Sequence, residues 1–346
     1  RRMSRGSVPV IVLAGFLGSG KTTLLNRLLR AARDSGSRIG VLVNDFGAIN
    51  VDALLVAGQA DGTVSLGGGC VCCTVDRDGL TEALATLMRP SAALDAIVIE
   101  ASGIAEPKAL IRMVTGVADR RMRYGGLVYV VDAVHMAATR RKHPEFDGHV
   151  AIADLLVLNK IDLVDGEVAD RAVDDLRALN HSAPLVAAAH AAIDPALMFD
   201  AAQRRAEDRP GTGQLTLDAL LIEGEPHDYL HADYDSISFE STEPMNPRRL
   251  AAFLERPPDG CFRIKGLVHF DVPRHRQKYV VHAVGGFVSV QRESWGSDAP
   301  STTLVAIGSG LYADQVRDRL ASAVAVPDDA TDSNGILSIT RYLAGE

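Results

Sequence analysis

Cysteine is scarce in this chain, with four in 346 residues, three of them standing together as Cys70-Val71-Cys72-Cys73. Thiols so few and so placed do not build a disulfide framework; in a reducing compartment a compact cluster points to metal or redox chemistry. Long apolar runs are also missing. No stretch approaches the roughly 20 residues of a membrane helix, and Arg1-Arg2-Met3-Ser4-Arg5 lacks the apolar core of a signal peptide, so the expectation is a cytoplasmic protein with no membrane partner. Basic residues are not in excess. The 44 acidic and 36 basic side chains leave a formal charge of -8 with no basic stripe, which argues against nucleic acid as a main partner. Internal repeats and low-complexity tracts are absent too. What the chain does have is apolar material, 47% of its residues, ample for a packed core in two domains or one large one.

The stretch around which the rest is organised is Gly15-Phe16-Leu17-Gly18-Ser19-Gly20-Lys21-Thr22, which fits G-x-x-x-x-G-K-[ST]. It follows the apolar run Val8 to Ala14 and opens a helical pattern ending near Ala32, so it lies between a strand and a helix, the context that makes the motif specific. Glycines let the backbone curl until successive N–H groups face phosphate oxygens, and the helix starting at Lys21 adds its positive end. Lys21 supplies a charge for the β- and γ-phosphates, the Thr22 hydroxyl can ligate Mg²⁺, and Thr23 continues the binding turn.

The next apolar run, Ile39 to Val43, reads as a buried strand that delivers Asn44-Asp45-Phe46-Gly47 to its carboxyl end, the edge at which open α/β sheets bind ligands. A glycine-rich stretch then leads through Gly67-Gly68-Gly69 into the cysteines, before a helix from about Gly79 to Met88. Ala96 to Ile99 ends on Glu100, an acidic strand tip of the kind that holds Mg²⁺ or its waters beside a phosphate loop. Leu127 to Val131 ends on Asp132, and Asp154 to Leu158 ends on Asn159-Lys160-Ile161-Asp162. That tetrapeptide selects the base. A carboxylate at Asp162 can accept from both N1–H and the exocyclic amine of guanine, while adenine offers no such donor pair, so GTP is expected over ATP. Pro184 to Ala188 closes the sheet.

The fold class expected is α/β: a P-loop NTPase domain over 1–207 with a mostly parallel, doubly wound sheet, followed by a smaller α+β domain. The composition breaks at Asp208-Arg209-Pro210-Gly211-Thr212-Gly213, which gives a linker over 208–232 with a short helix at Leu215 to Leu221. The second domain covers 233–326. Its strands are expected at Tyr234 to Glu240, Cys261 to Phe270, Lys278 to Val284, Phe287 to Val290 and Thr303 to Ile307, with helices at Pro247 to Glu255 and Asp314 to Val324. Residues 327–346 read as a loosely held tail with a short helix near its end.

Three thiols within four residues can place at least two sulfurs on one cation, and the glycines before them let the loop fold back. Thiolates favour Zn²⁺, Cu⁺ and, with an added oxygen or nitrogen ligand, Co²⁺. The alternatives are a redox switch and a set of small buried apolar residues. Cys261 stands alone at a strand start and reads as core, and His227 with His231 as part of a solvated linker; His269, His275 and His282 are left out of the site. Hydrolysis is expected to be slow, because Ile104 follows Gly103 where Ras-like GTPases place a water-orienting glutamine.

Taken in order, Gly15 to Thr22, Asn44-Asp45-Phe46-Gly47, Gly69-Cys70-Val71-Cys72-Cys73, Glu100-Ala101-Ser102-Gly103 and Asn159-Lys160-Ile161-Asp162 resemble the CobW-type metallochaperone GTPases. The likeness continues into Arg263-Ile264-Lys265-Gly266. It implies slow GTP hydrolysis to GDP with Mg²⁺, and a transition metal, Zn²⁺ first and Co²⁺ next, carried to a client metalloprotein. Lys21, Thr22 and Glu100 would serve hydrolysis. Gly15, Gly18, Ser19, Gly20, Thr23, Asn159, Lys160 and Asp162 would bind nucleotide, and Cys70, Cys72, Cys73 and Asp45 would bind metal. This chain departs from the family in carrying Asp45 for the usual Glu, Asp76 where a basic residue is common, and only His227 and His231 in place of a histidine-rich linker. Competing readings are a GTPase regulatory module with a redox-sensing cluster and a non-enzymatic metal reservoir.

Overall fold

The computed structural model describes residues 7–45, 48–49, 55–57, 64–65, 77–89, 92–103, 106–117, 119–198, 235–296, 299–308, 310–326, 329, 332 and 334–343. They form two compact units. The first contains the described residues up to Leu179 and from Val186 to Met198, the second Asn180–Leu185 and the described residues from Asp235 onward. The linker expected over 208–232, with its helix, lies outside the described residues.

In the first unit strands and helices alternate: β1 (Val8–Ala14), α1 (Lys21–Ser35), β2 (Ile39–Asp45), the short β3 (Ala48–Ile49), β4 (Leu55–Ala57) and β5 (Val64–Ser65), α2 (Arg77–Leu87), β6 (Ala96–Glu100), α3 (Pro107–Thr115), β7 (Met122–Asp132), α4 (Met136–Lys142), α5 (Glu145–Ala151), β8 (Leu155–Asn159), α6 (Gly166–Leu179) and β9 (Leu185–Ala188). The sheet runs β5-β4-β2-β6-β1-β7-β8-β9. The pairs β2–β6, β6–β1, β1–β7 and β7–β8 are parallel, while β4 and β5 add an antiparallel edge. Every residue of β6 and β8 is buried, as befits strands covered on both faces, and this is why they read as unbroken apolar runs. Helix α1 buries Lys21, Leu24, Leu25, Leu28 and Ala32, one face at helical spacing, and packs on β6. It ends where Gly36, at φ 72°, turns the chain and donates its N–H to Ala32 and Arg33.

Strand β7 begins at Met122, five residues before the expected start at Leu127. Val10 pairs with Tyr124 and Val12 with Leu127, so β7 carries one extra residue opposite Ile11. Gly125 and Gly126 make that bulge, and they hid the strand's first half by interrupting its apolar pattern; a Cβ on Gly125 would stand 2.8 Å from Ile11 Cγ1. The parallel register brings the strand tips to one edge: Leu13 lies opposite Glu100, Val43 opposite Glu100, and Asp132 opposite Asn159.

The second unit is a five-stranded antiparallel sheet, β10 (Asp235–Ser241), β11 (Cys261–Val268), β12 (Lys278–Val284), β13 (Phe287–Glu293) and β14 (Thr302–Gly308), in the order β10-β14-β11-β12-β13. Ile237, Ile264, Tyr279, Val281 and Leu304 share a core with Leu250 and Leu254 of the helix Pro247–Glu255 and with Val316 and Leu320 of the helix Ala313–Ala321. Cys261 is buried there, and burial pushes its thiol up to about 12, which suits a structural residue. The loosely held tail is corrected. Residues 334–343 carry the short helix Leu337–Thr340, Ile336 and Ile339 are buried in this core, and the Val290 N–H donates to the Tyr342 carbonyl. The two isoleucines, a helical turn apart, are joined by Tyr342 and Leu343 packed against the same core, and the Tyr342 hydroxyl donates to Glu255 Oε1.

Candidate functional site

The phosphate loop leaves β1 at Gly15, whose φ of 145° and surroundings admit no side chain: a Cβ would stand 2.3 Å from the Val130 carbonyl oxygen. At the other end Gly20, at φ 106°, abuts Asn159, where a Cβ would meet Nδ2 at 2.2 Å. Helix α1 starts on that glycine without a side-chain cap, so its first N–H groups are left for a ligand. Lys21 is buried, and its Nζ donates to the carbonyls of Gly15 at 2.9 Å and Phe16 at 3.2 Å. Burial lowers the ammonium below its ordinary value, an effect that the Glu100 carboxylate partly opposes. An anion held by the loop would relieve that strain on the charge.

Thr22 and Glu100, 78 positions apart, meet at the loop: the Thr22 hydroxyl donates to Glu100 Oε1 at 2.6 Å. The pairing follows from topology, because β6 lies beside β1 and delivers Glu100 to the edge where α1 begins. Asn159, at the tip of β8, ties the loop to a third segment. Its Nδ2 donates to the Ser19 carbonyl at 2.9 Å, and its Oδ1 accepts from the Ala191 N–H at 2.7 Å. Lys160 follows in the left-handed region at φ 65°, which turns Asp162 toward the same edge. One cleft of about 330 Å³ runs from Gly18, Gly20 and Thr23 to Lys160, Asp162 and His190. It therefore joins the two halves of the nucleotide site expected from the sequence.

Two participants were not singled out by the sequence. Asp132, at the tip of β7, accepts from Lys160 Nζ at 2.7 Å and from the N–H groups of Val134 and His135. Burial alone would raise its carboxyl, but the bonds from Lys160 and His135 outweigh that and hold it below its ordinary value. Its signal was its place as an acidic residue ending a core strand. His190 stands at φ 52° with its carbonyl accepting from Arg27 Nε at 2.7 Å, and its Nε2 lies 3.6 Å from Asp162 Oδ2. No sequence signal marks it.

Of the expected metal ligands, Cys70, Cys72 and Cys73 lie outside the described residues. Asp45 closes β2 two positions beyond the residue paired with Glu100, and its side chain is likewise outside the description. Among the described residues no group of three His, Cys, Asp or Glu side chains is placed to hold a metal ion. His275 is engaged with the Tyr279 hydroxyl at 3.0 Å. Among the described residues no helix is long and apolar enough to cross a membrane.

Comparison with known proteins places this geometry in a family. The CobW/HypB/UreG nucleotide-binding domain matches residues 9–187, and the cobalamin synthesis protein cobW C-terminal domain matches residues 234–324. The zinc chaperone YjiA of Escherichia coli is 29% identical over 334 residues, spanning 91% of this chain and 98% of that protein. The zinc chaperone CobW of a Sinorhizobium species is 30% identical over 350 residues, spanning 89% of this chain and 94% of its own. A solved structure of the Zn(II)-bound YjiA GTPase from E. coli aligns at 26% identity with a TM-score of 0.44, over 93% of this chain and all of that one. With both domain matches in sequence order, the phosphate loop and Asn159-Lys160-Ile161-Asp162 along one cleft, and the acidic strand tip Glu100 bonded to Thr22, the chain belongs to the CobW/HypB/UreG family and is a P-loop GTPase.

Proposed function

We propose that this GTPase is a metallochaperone, which binds GTP along the cleft from Gly18 to Asp162 and carries a transition metal on Cys70, Cys72, Cys73 and Asp45 to a client protein. The observation that carries the nucleotide half is the continuity of that cleft, which lets one ligand touch the phosphate loop and Asp162 together. Asp162 accepts from the guanine edge, the stem of Lys160 lies along the base, and Lys21 and the loop N–H groups hold the phosphates. The Thr22 hydroxyl donates to Glu100 and keeps its lone pairs for a magnesium ion, which Thr22 would hold directly and Glu100 through water, and which would supply charge neutralisation at the phosphates. Glu100 is a metal-side residue and not the base. With Ile104 after Gly103, turnover is slow until a partner or the bound metal completes the site.

For the cargo, zinc comes first and cobalt second. The relatives named as zinc chaperones support zinc, and a thiolate triplet is soft enough to prefer it. β2 brings Asp45 to the strand edge shared with Glu100, so a metal held with Asp45 would lie on the same edge as the phosphates. GTP and metal then bias one another's binding.

Zinc titration of the Cys72→Ser variant tests the cargo site. Losing one thiolate of three is expected to weaken zinc by at least about tenfold, in line with the cost of disturbing a ligand set. Wild-type affinity should also fall as pH drops, since binding displaces thiol protons. Unchanged stoichiometry and affinity in the variant would remove these cysteines from the metal site and favour the redox-sensing alternative.

A further inference from the structure

Beneath the phosphate loop lies a cluster that the nucleotide reading does not use. The Phe16 ring stacks 6.0 Å from His149 and 6.1 Å from Phe146, both on α5, and stands 4.6 Å from His143. His149 is buried, with both ring nitrogens engaged. Nδ1 is 3.3 Å from the Tyr129 hydroxyl on β7, and Nε2 is 3.3 Å from Glu106 Oε2 at the start of α3. With the ring proton on Nε2, one uncharged tautomer satisfies both neighbours: Tyr129 O–H donates to Nδ1 and Nε2–H donates to the Glu106 carboxylate. The other Glu106 oxygen accepts from the Lys108 N–H and caps α3.

Glu100, Gly103 and Glu106 are each tied to the phosphate loop. Glu100 accepts from Thr22, Gly103 backs onto Leu17 so closely that a Cβ would stand 2.8 Å from the Leu17 nitrogen, and Glu106 reaches Phe16 through His149. The first two ties are direct. The third passes through one imidazole wedged between a loop aromatic and a carboxylate. We propose that His149 is a positioning residue for GTP hydrolysis: by linking Phe16 to Glu106 it fixes the phosphate-loop backbone whose Phe16 carbonyl holds Lys21 Nζ. The inference rests on reading the Gly15 to Thr22 loop as the phosphate site.

Its effect is expected on turnover more than on GDP binding, because the chemical step depends more steeply than ground-state binding on where the Lys21 charge stands. A displacement of the order of 1 Å is enough to slow a positioned reaction by about 10²-fold. His149→Phe keeps the stacked ring and removes both hydrogen bonds. Glu106→Ala removes the carboxylate from a side chain that is half exposed, so this variant keeps the fold even if the first does not. In single-turnover assays both are expected to lower kcat by about tenfold or more, with the Kd for GDP within about twofold of wild type. Glu106→Gln, which retains an acceptor for Nε2–H, should stay near wild type, and the double variant should be no worse than the worse single. Wild-type kcat in Glu106→Ala, a parallel loss of GDP affinity, or additive losses in the double variant would overturn the proposal. Wild-type protein that does not turn over GTP, or a Lys21→Ala control that turns over normally, would instead overturn the phosphate-loop reading beneath it.

Discussion

Lys21→Ala is expected to lower the rate of GTP hydrolysis by about 10²- to 10³-fold, the usual cost of deleting one preorganised charge from a transition-state site. The wild-type side chain is buried against the loop, with Nζ on the Gly15 and Phe16 carbonyls, so little conformational freedom remains to be lost when phosphate arrives. Burial already weighs against the ammonium, with only Glu100 in opposition, and a triphosphate supplies the missing counter-charge. The variant should still fold, because Gly15, Gly20 and the Asn159 bridge continue to hold the loop when the lysine's two bonds to it are lost. Rapid-quench measurement of inorganic phosphate, alongside a thermal melt, checks this. A folded variant with wild-type turnover would show that the reaction does not use this loop.

Asp162→Asn is expected to change the base that the cleft accepts. The carboxylate reads guanine through two donors, N1–H and the exocyclic amine, and a site built to satisfy such donors rejects an analogue lacking them by up to about 10⁴-fold or more. An amide in its place loses one acceptor and gains a donor, which faces the guanine amine unfavourably but suits the C2 carbonyl of xanthine. GTP affinity should therefore fall by at least about 10²-fold while xanthosine triphosphate becomes the better ligand. Competition against a fluorescent guanine nucleotide, with ATP as a further competitor, measures it. Unaltered preference for GTP in the variant would place the base elsewhere. The neighbouring His190 ring, 3.6 Å from the carboxylate, should be displaced by the guanine edge, so His190→Ala need not alter base choice.

The parts of the fold and site that could be read from the chain are those set by local rules. β1, its glycine loop and α1 are contiguous, and their boundaries follow from an apolar run, a fixed spacing and an amphipathic helix. The tips Glu100 and Asn159 were legible because parallel strands buried on both faces end abruptly in polar residues. What escaped were long-range relations. The pairing of Lys160 with Asp132, the bracing of Asn159 by Ala191 and the stack of Phe16 on His149 depend on which strands become neighbours, and sheet order is not written in any one segment. Glycines that make a bulge also break an apolar pattern, so the first half of β7 is hidden in the sequence, and the packing of residues 334–343 onto the second core is a long-range relation that their short helix alone does not announce.

Calorimetric zinc titration in the presence of GDP and of a non-hydrolysable GTP analogue asks whether nucleotide and metal sense one another. The two affinities are predicted to differ by at least about fivefold, with the nucleotide affinities shifted by the same factor when zinc is already bound. Equal zinc affinities with the two nucleotides would contradict it.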